Sequence, residues 1–119
     1  MEKKYDLEQR TEAFAAAVIE ASRRLPKDPA INELVRQVVR AAGSIGANYI
    51  EANESLSKKD LAVRIKICRK EAKECRYWLS LIKPTGENLE TQFSALIQES
   101  TELMNIFGAI LRKVSDSDV

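Results

Sequence analysis

The stretch that decides the fold is Lys58-Lys59-Asp60-Leu61-Ala62-Val63-Arg64-Ile65-Lys66-Ile67-Cys68-Arg69-Lys70-Glu71-Ala72-Lys73-Glu74-Cys75-Arg76-Tyr77-Trp78-Leu79-Ser80-Leu81-Ile82. Leu61, Ile65, Cys68, Ala72, Cys75, Leu79 and Ile82 recur at steps of 4, 3, 4, 3, 4 and 3. Such spacing lines one face of an α-helix with a continuous apolar seam. Ser57 stands three residues before Asp60, the pattern of a capped helix start. Lys83-Pro84-Thr85-Gly86 is a turn that stops the helix. The spacing predicts a helix over 58–83.

The same pattern extends to both sides. Upstream, Ile31, Val35, Val38, Ala42, Ile45, Tyr49 and Ala52 repeat the 4, 3 rhythm and predict a helix over 29–54. Asp28-Pro29 starts it, with aspartate as N-cap and proline at the first helical position. Gly43 and Gly46 lie inside this helix, where each glycine costs up to about 1 kcal/mol against alanine. That cost points to close approach of a neighbouring helix there, with a local kink as the alternative. Further upstream, Leu7, Phe14, Val18, Ala21 and Leu25 predict a helix over 6–25, stopped by Pro26. Downstream, Leu89, Phe93, Leu96, Ser100, Leu103, Phe107, Ile110 and Val114 predict a helix over 88–114, followed by a polar, frayed tail. No segment alternates with period two as a half-buried strand does. Four helices with short connections predict an all-α protein, an antiparallel up-down-up-down four-helix bundle, with residues 1–119 as a single domain.

Composition limits what such a bundle can do. The chain has 119 residues, a net charge of +1 and no histidine. Without histidine, Ser-His-Asp and Cys-His catalysis, most zinc enzymes and carboxylate–histidine di-iron sites are excluded. The reading is therefore no enzyme, no catalytic residues, no metal and no cofactor. Cys68 and Cys75 lie about 10 Å apart along one helix, too far for a disulfide, so they are expected as buried thiols. The longest uncharged run is the ten residues from Ala41 to Ile50, far short of the roughly 20 a membrane span needs. The N-terminus has lysines but no apolar run behind them, so no signal peptide is expected. A cytoplasmic protein without a membrane partner is expected.

Charge is unevenly spread. Residues 57–83 carry +6, while residues 84–119 carry −4. Lys59, Lys66, Arg69, Lys70, Lys73 and Arg76, with Lys83, avoid the apolar seam and share a side of the third helix. Lys66/Lys70 and Arg69/Lys73 are like-charge pairs one turn apart, each unfavourable by a few tenths of a kcal/mol. Lys70/Glu74 is the favourable pair. A basic rod of about 36 Å matches roughly one turn of duplex nucleic acid. These six cations are the candidate site for an RNA or DNA phosphate backbone. The bland alternatives are a solvated face, or one paired with the acidic fourth helix, a protein partner or a sister subunit.

A second edge of the third helix carries Arg64, Ile67, Glu71, Glu74, Trp78 and Leu81. It either widens the core contact or forms a subunit interface, where tryptophan and arginine are enriched. On the second helix, Ser44, Asn48, Glu51 and Ser55 form a polar edge, with Arg40 or Arg64 expected to pair with Glu51. Asn48, Glu51, Arg64, Glu71, Glu74 and Trp78 are accordingly the candidates for a polar network or interface. The alternative is a small-ligand or metal pocket of Asn48, Glu51, Glu71 and Glu74.

Gly46-Ala47-Asn48-Tyr49-Ile50-Glu51-Ala52, Leu56-Ser57-Lys58-Lys59-Asp60-Leu61 and the block from Arg64 to Leu79 resemble a known family. Over nearly the whole chain the sequence is similar to the four-helix-bundle proteins encoded in intervening sequences of bacterial 23S ribosomal RNA genes. The resemblance implies an up-down-up-down bundle that assembles as a homopentamer, with no established enzymatic activity and a poorly defined role. It also implies kinship with accessory proteins of diversity-generating retroelements, basic pentamers that bind reverse transcriptase and nucleic acid. This chain differs from that group in its near-zero net charge and keeps a basic excess on one helix. The resulting expectation is a self-associating scaffold bound to RNA or ribonucleoprotein; the alternative is a protein–protein scaffold that binds no nucleic acid.

Overall fold

The computed structural model describes residues 6–116; the expectations for the N-terminal lysines and for the last residues of the tail lie outside them. All regular elements among the described residues are helices: α1 (Leu7–Ser22), α2 (Pro29–Asn53), α3 (Lys58–Leu81) and α4 (Glu87–Asp116). Three side chains cap the starts. Asp6 accepts from the Gln9 amide at 3.2 Å, Asp28 from Ile31 at 2.8 Å and Ser57 from Asp60 at 3.0 Å. Each satisfies one of the backbone donors a helix leaves free in its first turn. Gly86 precedes α4 with φ +101°, a conformation that glycine alone adopts without strain.

Proline sets two of the helix ends earlier than the apolar rhythm implies. The residue before a proline is driven out of the helical region. Before Pro26, α1 therefore ends at Ser22, and Arg24 and Leu25 close a tightened turn onto Ala21 and Ser22. Leu25 still reaches the core. Before Pro84, α3 ends at Leu81 and Ile82 is already extended, with ψ 120°.

Consecutive helices pack side by side, so the chain runs up, down, up and down, and α4 returns beside α1 along the thinnest seam. α3 lies between α2 and α4. Ile65, Cys68, Ala72, Cys75 and Leu79 are almost completely buried there, against Val38 and Ile45 of α2 and Leu103 and Phe107 of α4. The Tyr49 and Phe107 rings meet across the bundle at 5.9 Å. Fully burying a side chain of this size contributes about 1.5–3 kcal/mol, so the seam is the main source of cohesion.

The two interior glycines of α2 differ. A Cβ on Gly46 would stand 3.2 Å from the Thr11 hydroxyl of α1, so here the helices do approach closely. The buried Thr11 hydroxyl donates to the Leu7 carbonyl at 2.7 Å. Gly43 has nothing within 4 Å and faces open space, contrary to the expectation from sequence. Gly43→Ala should therefore stabilise the protein by about 0.5–1 kcal/mol, through helix propensity alone. Gly46→Ala should gain clearly less, because Thr11 must yield. Urea unfolding of the two variants checks this; equal gains would contradict the close approach at Gly46.

Candidate nucleic-acid interface

At 100° per residue, the basic residues of α3 occupy an arc of about 120° that starts beside α4 and runs out to solvent. Lys59, Lys66, Arg69, Lys70 and Lys73 are exposed and Arg76 is half-buried. The acids of the same helix point the other way, toward α2. Arg40 of α2 stands between them, with Nη1 3.6 Å from Glu71 Oε1 and Nη2 3.3 Å from Glu74 Oε1. Glu74 is thus taken up by Arg40, and no Lys70–Glu74 ion pair forms. Glu71 is buried to 9% side-chain exposure. Its Oε1 accepts no hydrogen bond, so Arg40 supplies charge compensation rather than a bond.

The polar edge of α2 closes on the same side of α3. Arg64 donates to Asn48 Oδ1 at 2.8 Å, and Asn48 Nδ2 donates to the Ser44 carbonyl at 2.9 Å and to its hydroxyl at 3.0 Å. Glu51 stands apart. It is exposed and pairs with neither Arg40 nor Arg64, since both guanidiniums are engaged elsewhere. It lines an open cleft with Glu54, Asp60 and Arg64 instead. The four-residue pocket of Asn48, Glu51, Glu71 and Glu74 is therefore not assembled. Among the described residues no group of three or more acids or cysteines gathers to hold a metal.

The acidic fourth helix does not cover the basic arc either. Glu99 and Glu102 face α1, where Arg10 binds Glu99 at 2.6 and 2.9 Å and Glu102 at 2.8 Å. The Arg10 guanidinium is pushed above its usual value, first by the hydrogen bond to Glu99. Gln98 and Arg10 together hold the Glu102 carboxyl below its ordinary range. Arg24 also reaches Gln92, so polar contacts supply much of the α1–α4 seam. Among the described residues, no carboxylate lies within ion-pair distance of Lys66, Arg69, Lys70, Lys73 or Arg76.

Two further residues belong to this surface, one on α4 and one on α3 itself. Arg112 of α4 reaches the same edge, beside Arg69 and over Gly108. Its signal is the Gly108–Arg112 spacing of one turn at the basic end of a mostly acidic helix. Tyr77 is 59% exposed beyond Lys70 and Lys73 and meets the Trp78 ring edge-on at 5.1 Å. Trp78 itself is half-buried against the core, and its Nε1 is sealed with no acceptor among the described residues.

The thiols are structural. Cys68 donates to the Ile45 carbonyl at 3.4 Å, and burial pushes both Cys68 and Cys75 up to about 12. No helix among the described residues is long and apolar enough to cross a membrane.

The helices define an all-α four-helix bundle with its unpaired basic residues gathered on one side of α3. The family model of the 23S rRNA-intervening sequence proteins matches residues 3–109, and the chain belongs to that family. It is similar to a crystal structure of a protein of unknown function from the S23 ribosomal protein family of Bacteroides thetaiotaomicron. The TM-score is 0.71, with 27% identity over 87% of this chain and 96% of that one. No curated protein matches the chain.

Arg40→Ala leaves the buried Glu71 without compensation and should cost about 1–3 kcal/mol. Adding Glu71→Gln should recover part of that loss; a double variant no more stable than Arg40→Ala would contradict the assigned pairing. The thiols set a pH limit. Folded they titrate at about 12, whereas the ordinary value is 9.0, so only the unfolded chain loses these protons between the two. Their contribution is complete below pH 9 and declines as pH rises toward 12. Urea midpoints across that range check it, and Cys68→Ala/Cys75→Ala should flatten the decline.

Proposed function

We propose that this protein is a non-enzymatic, self-associating scaffold that binds the phosphate backbone of RNA, and by the same chemistry DNA, through the outer arc of α3. One observation carries the reading. Five cations share that arc without a carboxylate, while the nearby acids are engaged by Arg40 and Arg10. Leaving like charges side by side disfavours the helix, and a polyanion relieves it. No base-reading element accompanies the arc, so the binding is sequence-tolerant and driven by counterion release. Tyr77 adds an exposed ring on which an unpaired base can stack. The family's tie to 23S rRNA-intervening sequences favours RNA as the polyanion, in the cytoplasm.

Fluorescence anisotropy with mixed-sequence RNA and DNA tests this. Three to five duplex phosphate contacts predict a loss of about 40- to 500-fold in affinity between 50 and 200 mM salt. Reversing Lys66, Arg69, Lys70 and Lys73 to glutamate should abolish binding. Absence of binding at low salt, or unchanged affinity in that variant, would overturn the proposal and favour a protein–protein scaffold.

Self-association is inferred from the homopentamer that the family resemblance implies, and from the second edge of α3, where half-buried Trp78 is followed by Leu81 at 43% exposure. Light scattering at micromolar concentration should give a multiple of 13.4 kDa, near five for a pentamer. A monomer would refute it.

A further inference from the structure

The structure assigns a discrete phosphate-binding clamp to Arg69 of α3 and Arg112 of α4, which straddle Gly108. A Cβ built on Gly108 would lie 3.7 Å from Arg69 Nε and 3.7 Å from Arg112 Nη1. Two guanidiniums from different helices thus converge over one residue that has no side chain. They are the nearest atoms beyond α4's own backbone, and beneath them Gly108 is buried. Its backbone is ordinary helix, so no turn or left-handed conformation calls for glycine there. What the missing side chain provides is a bare stretch of α4 against which both guanidinium groups lie.

Like charges repel each other, and among the described residues no carboxylate offsets these two. Neither arginine has an ion pair or hydrogen-bond acceptor among the described residues, in contrast to Arg10, Arg40 and Arg64, each of which is engaged. Lys66 and Lys73 sit one turn to either side of Arg69 and raise the local potential further. An oxyanion between the two forks would accept from both, and a tetrahedral phosphate presents oxygens in more than one direction. Guanidinium is the group best matched to that geometry, because its planar fork donates two parallel hydrogen bonds to one phosphate. The clamp would fix one phosphate at the α3–α4 edge and so set the register of a backbone lying along α3. As a polynucleotide site it rests on the function proposed above. Arg112 lies beyond the residues matched by the family model, so that match does not assign it.

NMR of the arginine Nε–Hε groups in the full chain tests the clamp, with inorganic phosphate and a short mixed-sequence RNA as separate titrants. Arg69 and Arg112 should shift together and saturate with a common dissociation constant. Arg69→Lys and Arg112→Lys keep the charge but lose the fork, and each should weaken phosphate binding at least tenfold; Lys27→Gln, in the exposed α1–α2 connection, should leave it unchanged. Independent, unsaturated shifts, or lysine variants that bind phosphate as well as the wild type, would overturn the clamp. If RNA binds in a salt-dependent way but Arg112→Lys leaves its affinity unchanged, the clamp fails while the α3 surface stands. If phosphate saturates both arginines but RNA does not bind, the clamp stands for free phosphate and the nucleic-acid function fails.

Discussion

The burial of α3 between α2 and α4 is the constraint from which the rest of the molecule follows. Its seam of Ile65, Cys68, Ala72, Cys75 and Leu79 is held on both sides, which fixes the rotation of the helix about its own axis. Once that rotation is fixed, every charged residue of α3 has its direction assigned. Glu71, Glu74 and Arg64 turn toward α2, and Lys66, Arg69, Lys70, Lys73 and Arg76 turn toward α4 and solvent. A near-neutral chain thereby acquires a one-sided charge.

That separation persists because the acids are engaged elsewhere. Arg40 holds Glu71 and Glu74, and Arg10 holds Glu99 and Glu102. The two arginines act differently. Arg10 is a bonded fork at a half-exposed seam, where ion pairs contribute modestly to stability. Arg40 offsets a buried carboxylate, and losing it costs more than the pair itself contributes. In both cases an arginine on α1 or α2 removes a carboxylate that could otherwise have quenched the basic arc.

Much of this was legible in the sequence, and the failures have physical reasons. The 4, 3 rhythm identified the four helices and most of their buried positions, because one residue type on one face is a local property. Helix ends were misjudged where Leu25 and Ile82 remain apolar and buried beyond the point at which Pro26 and Pro84 end the helix. Gly46 meets Thr11 but Gly43 meets nothing, a difference set by where α1 crosses α2, which no local pattern encodes. Glu51 was matched to Arg40 or Arg64 by proximity in the wheel, yet Glu74 and Asn48 are better placed for those guanidiniums. Arg112 was hidden within a segment of net −4, since its relation to Arg69 exists only once α3 and α4 are packed.

The central claim is that the arc of α3 is left without internal counterions and takes its counterions from a polynucleotide. A native mass spectrum of the full chain mixed with an equimolar mixed-sequence RNA, recorded at low ionic strength, tests it most directly. The account predicts an oligomer carrying RNA, with the bound RNA lost as ionic strength rises. A spectrum of free protein and free RNA at low ionic strength would contradict it.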